Sequence, residues 1–135
     1  MALLSYRNYT SYCHRQKEDT NEKTDGFKAS SYQQHQGEKL AKRFNAYSYY
    51  TLSKLMDTHN VGRERNSTEE ALQKIRTACL IIGIRSDLLF PVNEQKYLAE
   101  HIPGAVYREI DSIYGHDGFL IEPEQLTQIV NEFLK

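Results

Sequence analysis

Residues 79–87 read Cys79-Leu80-Ile81-Ile82-Gly83-Ile84-Arg85-Ser86-Asp87, and this stretch decides the fold. An apolar run of strand length is cut off at once by three polar residues. It has no alternation, which suits a parallel strand covered on both faces, with Cys79 a small core residue at its start. Downstream, Pro91 precedes a helix over about 92–101 that Pro103-Gly104 ends. Residues 105–110 form a second strand, with Val106, Arg108 and Ile110 on one face. A loop over 111–118 follows. A last helix over 123–134 carries Leu126, Ile129, Val130 and Phe133 on one side, with Pro123 in its first turn. Residues 78–135 therefore read strand–helix–strand–loop–helix, a βαβ unit with the usual right-handed crossover and a closing helix.

Upstream the pattern changes. Residues 1–15, 31–43 and 45–58 have helical apolar spacing, the last through Tyr49, Leu52, Leu55 and Met56. They read as an antiparallel helical layer. Residues 16–30 are polar and aperiodic, a mobile loop. Residues 59–66 are a linker, and Ser67-Thr68-Glu69-Glu70 fits a capping box in which Glu70 reaches back to the start of a short helix. All nine isoleucines lie after residue 70, and seven of the ten tyrosines lie in the first 50 residues. Two segments with different packing problems, 1–66 and 67–135, follow from that split.

Composition limits the function classes. The 135 residues carry 17 Lys and Arg against 18 Asp and Glu, so a net charge of −1 gives no electrostatic pull toward nucleic acid or anionic lipid. No apolar run approaches the ~20 residues of a membrane span, and the first residues lack the basic start of a secretory signal. Two cysteines, Cys13 and Cys79, make no disulfide framework, and a reducing, cytoplasmic setting is the simplest reading.

In open parallel sheets function collects just past the carboxyl ends of strands. Asp87 follows the first strand there, and His116 follows the second within Tyr114-Gly115-His116-Asp117-Gly118. Each residue alone has an ordinary explanation: an Asp in a turn, a His in a solvated glycine-rich loop. Together they make a pair. Adjacent strands lie ~4.8 Å apart, close enough for the carboxylate to accept from the imidazole Nδ1–H and leave Nε2 as a base. Gly115 and Gly118 allow the close approach. The order strand–Asp, helix, strand–His is the second half of a Ser…Asp…His triad on an α/β-hydrolase sheet.

Arg85-Ser86-Asp87-Leu88-Leu89-Phe90-Pro91 and Tyr114-Gly115-His116-Asp117-Gly118-Phe119-Leu120-Ile121-Glu122 resemble the last third of homoserine O-acetyltransferases. So do Leu4-Ser5-Tyr6-Arg7, Gly37-Glu38-Lys39, Arg43-Phe44-Asn45-Ala46-Tyr47-Ser48-Tyr49 and Met56-Asp57-Thr58-His59-Asn60-Val61-Gly62-Arg63. The resemblance covers essentially the whole chain, least well around 16–30. It implies a helical lid (1–66), much of it dimer interface, followed by the last βαβ-α unit of an α/β-hydrolase fold with an incomplete sheet (67–135). It also implies a cytoplasmic enzyme of methionine biosynthesis, with no bound cofactor. Acetyl-CoA, the co-substrate, would acylate a serine, and L-homoserine would then take the acetyl group. Asp87 would be the triad acid, His116 the general base, and Asp117 the carboxylate facing the substrate ammonium.

The chain departs from that pattern at one decisive point. Its seven glycines never take the Gly-x-Ser-x-Gly spacing of a nucleophile elbow. The expectation is therefore a carboxy-terminal portion whose isolated chain is inactive, since triad members act as a unit. The rivals are an esterase-type hydrolase of the same fold and a non-catalytic interaction segment. Acetyl against succinyl donor, and homoserine against serine acceptor, stay open. Arg63 and Arg65 read as a solvated linker, the alternative being cations facing a CoA phosphate. Asn8-Tyr9-Thr10 and Asn66-Ser67-Thr68 match a glycosylation sequon without a secretory context, and Cys13, His14 and His35 fit no metal-site spacing. Tyr47, Tyr49 and Tyr50 read as packing or interface residues.

Overall fold

A computed structural model describes residues 6–135. The expectations for residues 1–5, including part of the first helix and Leu4-Ser5, lie outside the described residues. The strand β1 (Leu80–Ile84) pairs in parallel with β2 (Val106–Ile110), Leu80 opposite Val106 and Ile84 opposite Ile110. The helix α5 (Val92–His101) makes the crossover between them and packs on both strands. The core of this unit is small: Leu72, Ile84, Ile102 and Ile110 are its buried apolar residues. The closing helix α7 (Pro123–Phe133) lies against β2, but none of its residues is fully buried.

Two expectations about the strand change. Only Gly83 and Ile84 of β1 are buried, so the run is not covered on both faces. Cys79 is half-buried and its thiol donates to the Thr77 carbonyl, so it is not a core residue. The physical reason is the same for both. Among the described residues the sheet has two strands, too few to enclose a parallel strand.

The described residues form two compact units, 6–12 with 61–135, and 13–60. These bounds differ from a division at 66/67, because Tyr6, Arg7 and Asn8 group with the βα unit. The linker is an ordered turn that ends in the helix α4 (Thr68–Gln73). A Cβ on Gly62 would meet the Ser67 carbonyl carbon at 2.7 Å, and Asn66 takes φ +68°. Ser67 caps α4 as expected, its hydroxyl accepting from the Glu70 N–H at 3.1 Å. Glu70 does not reach back to Ser67: its carboxylate accepts from the Asn66 amide at 2.8 Å, and the Ser67 N–H donates to the Arg65 carbonyl. The capping box is thus half made, because Arg65 has already taken the donor that Glu70 needs. The Arg65 guanidinium folds back onto the Val61 carbonyl at 3.0 Å.

The helix α1 (Tyr9–Gln16) begins after Asn8, whose side chain accepts from the Thr10 N–H at 3.0 Å. The polar stretch after it is a loop, strapped by its own charges. Glu18 takes the Lys23 ammonium and the Lys28 backbone N–H, and Asp19 takes the Lys28 ammonium at 2.9 Å. The helices α2 (Lys28–Arg43) and α3 (Ala46–Asp57) are joined through Phe44 and Asn45 in extended conformation, and Asn45 caps α3. They bury no residue and do not pack along their lengths, so the expected antiparallel layer does not form among the described residues. The apolar stripe of α3 needs a surface to cover it. Leu55, Met56 and Tyr47 stay 61%, 72% and 86% exposed.

Candidate active site

The sheet ends create the site. β1 stops at Ile84, and the polar Arg85-Ser86-Asp87 turns the chain across the end of β2. Arg85 is spent on structure, bridging Glu109 at 3.5 Å and Asp111 at 3.1 Å. Asp87 is buried to 7% exposure. One carboxylate oxygen accepts the backbone N–H groups of Leu89 and Phe90, at 2.8 and 3.0 Å. The other lies 2.8 Å from His116 Nδ1. The ordinary turn role and the imidazole contact therefore coexist in one residue, through different oxygens. An ionised carboxylate only accepts, so Nδ1 carries the proton and Nε2 is left as the acceptor.

His116 sits in a single 3-10 turn, Gly115–Asp117, directly followed by the short helix α6 (Gly118–Ile121). The expected loop is thus helical in its second half. Both flanking glycines are required. Gly115 takes φ +64°, and a Cβ there would lie 2.9 Å from the Asn8 nitrogen and 3.0 Å from the Arg7 carbonyl carbon. A Cβ on Gly118 would lie 2.9 Å from Ser112 Cβ. The sheet side of the turn is fixed by Ser86, whose hydroxyl donates to the Ser112 carbonyl at 2.5 Å and accepts from the Gly115 N–H at 3.1 Å. Three aromatic rings surround the imidazole: Phe90 at 5.1 Å, Phe119 at 5.4 Å and Tyr6 at 5.5 Å between centroids. Edge-on and tilted contacts of this kind hold a ring in orientation without taking its nitrogens.

Asp117 lies beside His116 in the chain, but its carboxylate is already engaged. Arg7 Nε donates to its Oδ2 at 2.9 Å, and the Asp117 N–H donates to the Tyr6 carbonyl at 3.1 Å. Asp87 and His116 are thus brought into contact, and Asp117 stands next to them as an ion-paired carboxylate. Sequence reasoning did not single out Ser86, Phe90, Phe119 or Arg7. Phe90 and Ser86 flank Asp87 within three residues, which is the signal that could have found them. Arg7 stands 110 residues from Asp117, and although it lies in a segment that carries the resemblance, nothing in the sequence pairs the two.

Two other concavities do not touch this pair. A cleft of about 570 Å³ on α5 is lined by Asn93, Glu94, Lys96, Tyr97 and Glu100. A groove of about 450 Å³ lies at the α2–α3 elbow, lined by Leu40, Phe44, Tyr49 and Tyr50 among others. Among the described residues no group of His, Cys, Asp and Glu has the arrangement of a metal site, and no helix is long and apolar enough to cross a membrane.

No protein-family model matches the chain. Curated relatives do. A homoserine O-acetyltransferase of Cyclobacterium marinum is 51% identical over 98% of this chain and 38% of its own length. That of Chlorobium chlorochromatii is 43% identical over 99% of this chain and 38% of its own. The crystal structure of a homoserine O-acetyltransferase from Staphylococcus aureus superposes with a TM-score of 0.68 at 30% identity, over 97% of this chain and 37% of that one. The sheet, its crossover helix and the helical segment before them are accordingly part of an α/β-hydrolase fold. Along nearly all its length the chain is a homologue of the homoserine O-acetyltransferases, of whose own length it spans about 38%.

Proposed function

We propose that the chain is the carboxy-terminal portion of a homoserine O-acetyltransferase and supplies the acid and the base of its Ser–His–Asp triad. The observation that carries this reading is the 2.8 Å contact between His116 Nδ1 and the buried Asp87, beyond the ends of two parallel strands. In that role Asp87 holds the imidazole in the Nδ1–H form and stabilises the imidazolium that forms. His116 Nε2 takes the proton of a serine hydroxyl supplied by the rest of the enzyme. The serine oxygen attacks the thioester carbonyl of acetyl-CoA, the C–S bond breaks, and the thiolate leaves with the proton from Nε2. The homoserine hydroxyl then gives its proton to Nε2 and attacks the acyl-serine. O-Acetylhomoserine leaves, and the serine recovers the proton.

Asp117 meets the ammonium of the acceptor in this reading. Arg7 already balances its charge, so the ammonium shares a carboxylate instead of neutralising a lone one. The exposed apolar face of α3 suits the lid and a homodimer interface, as the area it leaves open requires a cover. A cytoplasmic enzyme acting on acetyl-CoA and homoserine fits this assignment. The chain alone is inactive, because a base without its nucleophile and oxyanion hole does not transfer acyl groups.

The test is a chimera in which this chain replaces the matching 38% of the Cyclobacterium marinum enzyme. It is expected to release CoA from acetyl-CoA only when homoserine is present, while the chain alone releases none. A folded chimera that hydrolyses acetyl-CoA equally well without homoserine overturns the transferase reading in favour of a hydrolase. CoA release by the chain alone overturns the need for the missing serine.

A further inference from the structure

The turn that carries His116 is held from two sides. Ser86 holds it to the sheet. On the opposite side the contacts come from three consecutive residues before α1. The Tyr6 carbonyl accepts the Asp117 N–H, the Arg7 guanidinium holds the Asp117 carboxylate, and the Asn8 nitrogen closes over the Cα of Gly115. The Tyr6 ring also stands edge-on to the imidazole. These residues and the turn belong to the same compact unit. Arg7 and Asp117 are both about a fifth exposed, so water screens their bond less than that of a surface pair.

We propose that Arg7 is a positioning residue for His116: by binding Asp117 it pins the Gly115–Asp117 turn and so keeps the imidazole on Asp87. The proposal deepens the reading of His116 as the base and rests on it for its catalytic meaning. Arg7 touches no reacting atom. Its effect on the imidazole passes through the Asp117 ion pair and the turn that carries both residues. On this side of the turn the Tyr6–Asp117 backbone bond is a single N–H···O contact, which by itself does not fix the orientation of residue 117. The side-chain bond adds the second point.

The spectroscopic test uses the whole 135-residue chain and no substrate, so it stands or falls apart from the assignment of activity. The readout is the low-field Nδ1–H resonance of His116 and its exchange with water. In the wild-type chain this proton is expected to be visible and slowly exchanging. Arg7→Ala is expected to exchange it about tenfold faster or more, the scale of losing a charged hydrogen bond. Amide protection in β1 and β2 should not change. Arg7→Lys, which keeps the cation, is expected to restore most of the protection. Where Arg7→Ala also loses sheet protection, Asp117→Asn decides, since it removes the charge and keeps the volume. It too is expected to release the His116 proton with the sheet intact. Wild-type exchange in the deciding variant overturns the proposal, as does a wild-type chain with no slow Nδ1–H signal. Failure of the transferase chimera with these signals as expected would refute the activity and leave the positioning intact.

Discussion

Gly115→Ala should destabilise the turn that carries His116. Two costs add at this position. An alanine held at φ +64° costs about 1–2 kcal/mol in the left-handed region. The new methyl would also stand 2.9 to 3.1 Å from three backbone atoms of Arg7 and Asn8, where carbon contacts are comfortable at about 3.5–4.0 Å. Backbone cannot rotate aside, so the turn or the segment must shift, at roughly 1–3 kcal/mol. Gly104 is the matched control in the same unit. It takes φ +72° with nothing within 4 Å of its missing Cβ, so Gly104→Ala carries only the conformational cost. Urea unfolding followed by tyrosine fluorescence separates the two. The Gly115 variant should lie below the Gly104 variant by about 1–3 kcal/mol, a further midpoint loss of about 1–3 M for a unit this small. Equal midpoints would refute the reasoning, since they would mean that residues 7 and 8 do not press on the turn.

Other changes follow from the same geometry. Ser86→Ala removes the donor to the Ser112 carbonyl and strands the Gly115 N–H; a loss of about 1–3 kcal/mol in urea unfolding is expected, and a loss under 0.5 kcal/mol would count against the bridge. In the chimera, Asp87→Asn should cut turnover on the order of 10⁴-fold, because an amide facing Nδ1 favours the wrong tautomer. A pH effect is expected away from the site. The Tyr97 hydroxyl donates to Glu69 at 2.6 Å and, as the largest cause, holds that carboxyl down at about 2, below its ordinary 4.5. A depressed carboxyl stabilises the fold above its unfolded value and loses that contribution as pH falls through the folded one. The stability gap between wild type and Tyr97→Phe should therefore be full at pH 6 and shrink between pH 4.5 and 2. A gap that does not change over that window would refute the pairing.

The local elements were legible because their signals are local. The apolar run 79–84, the helix starts at Pro91 and Pro123, and the cap at Ser67 need only neighbours within four residues, and each stands where the residues place it. The Asp87–His116 pair was legible for a related reason: parallel strands bring their carboxyl ends to one edge, so chain order fixes that the two residues meet. Coverage could not be read in this way. A continuous apolar strand calls for two covered faces, and an exposed stripe on α3 calls for a neighbour, but periodicity does not say whether that neighbour lies in the same chain. Arg7 on Asp117 and Asn8 on Gly115 are contacts across more than 100 residues, between side chains and backbone that no spacing rule relates. The sequence by itself determined the strand–helix–strand order and therefore which two residues share the sheet edge. Only the tertiary structure decided how the histidine is held there, because the closing contacts come from a segment whose position depends on the packing of everything between.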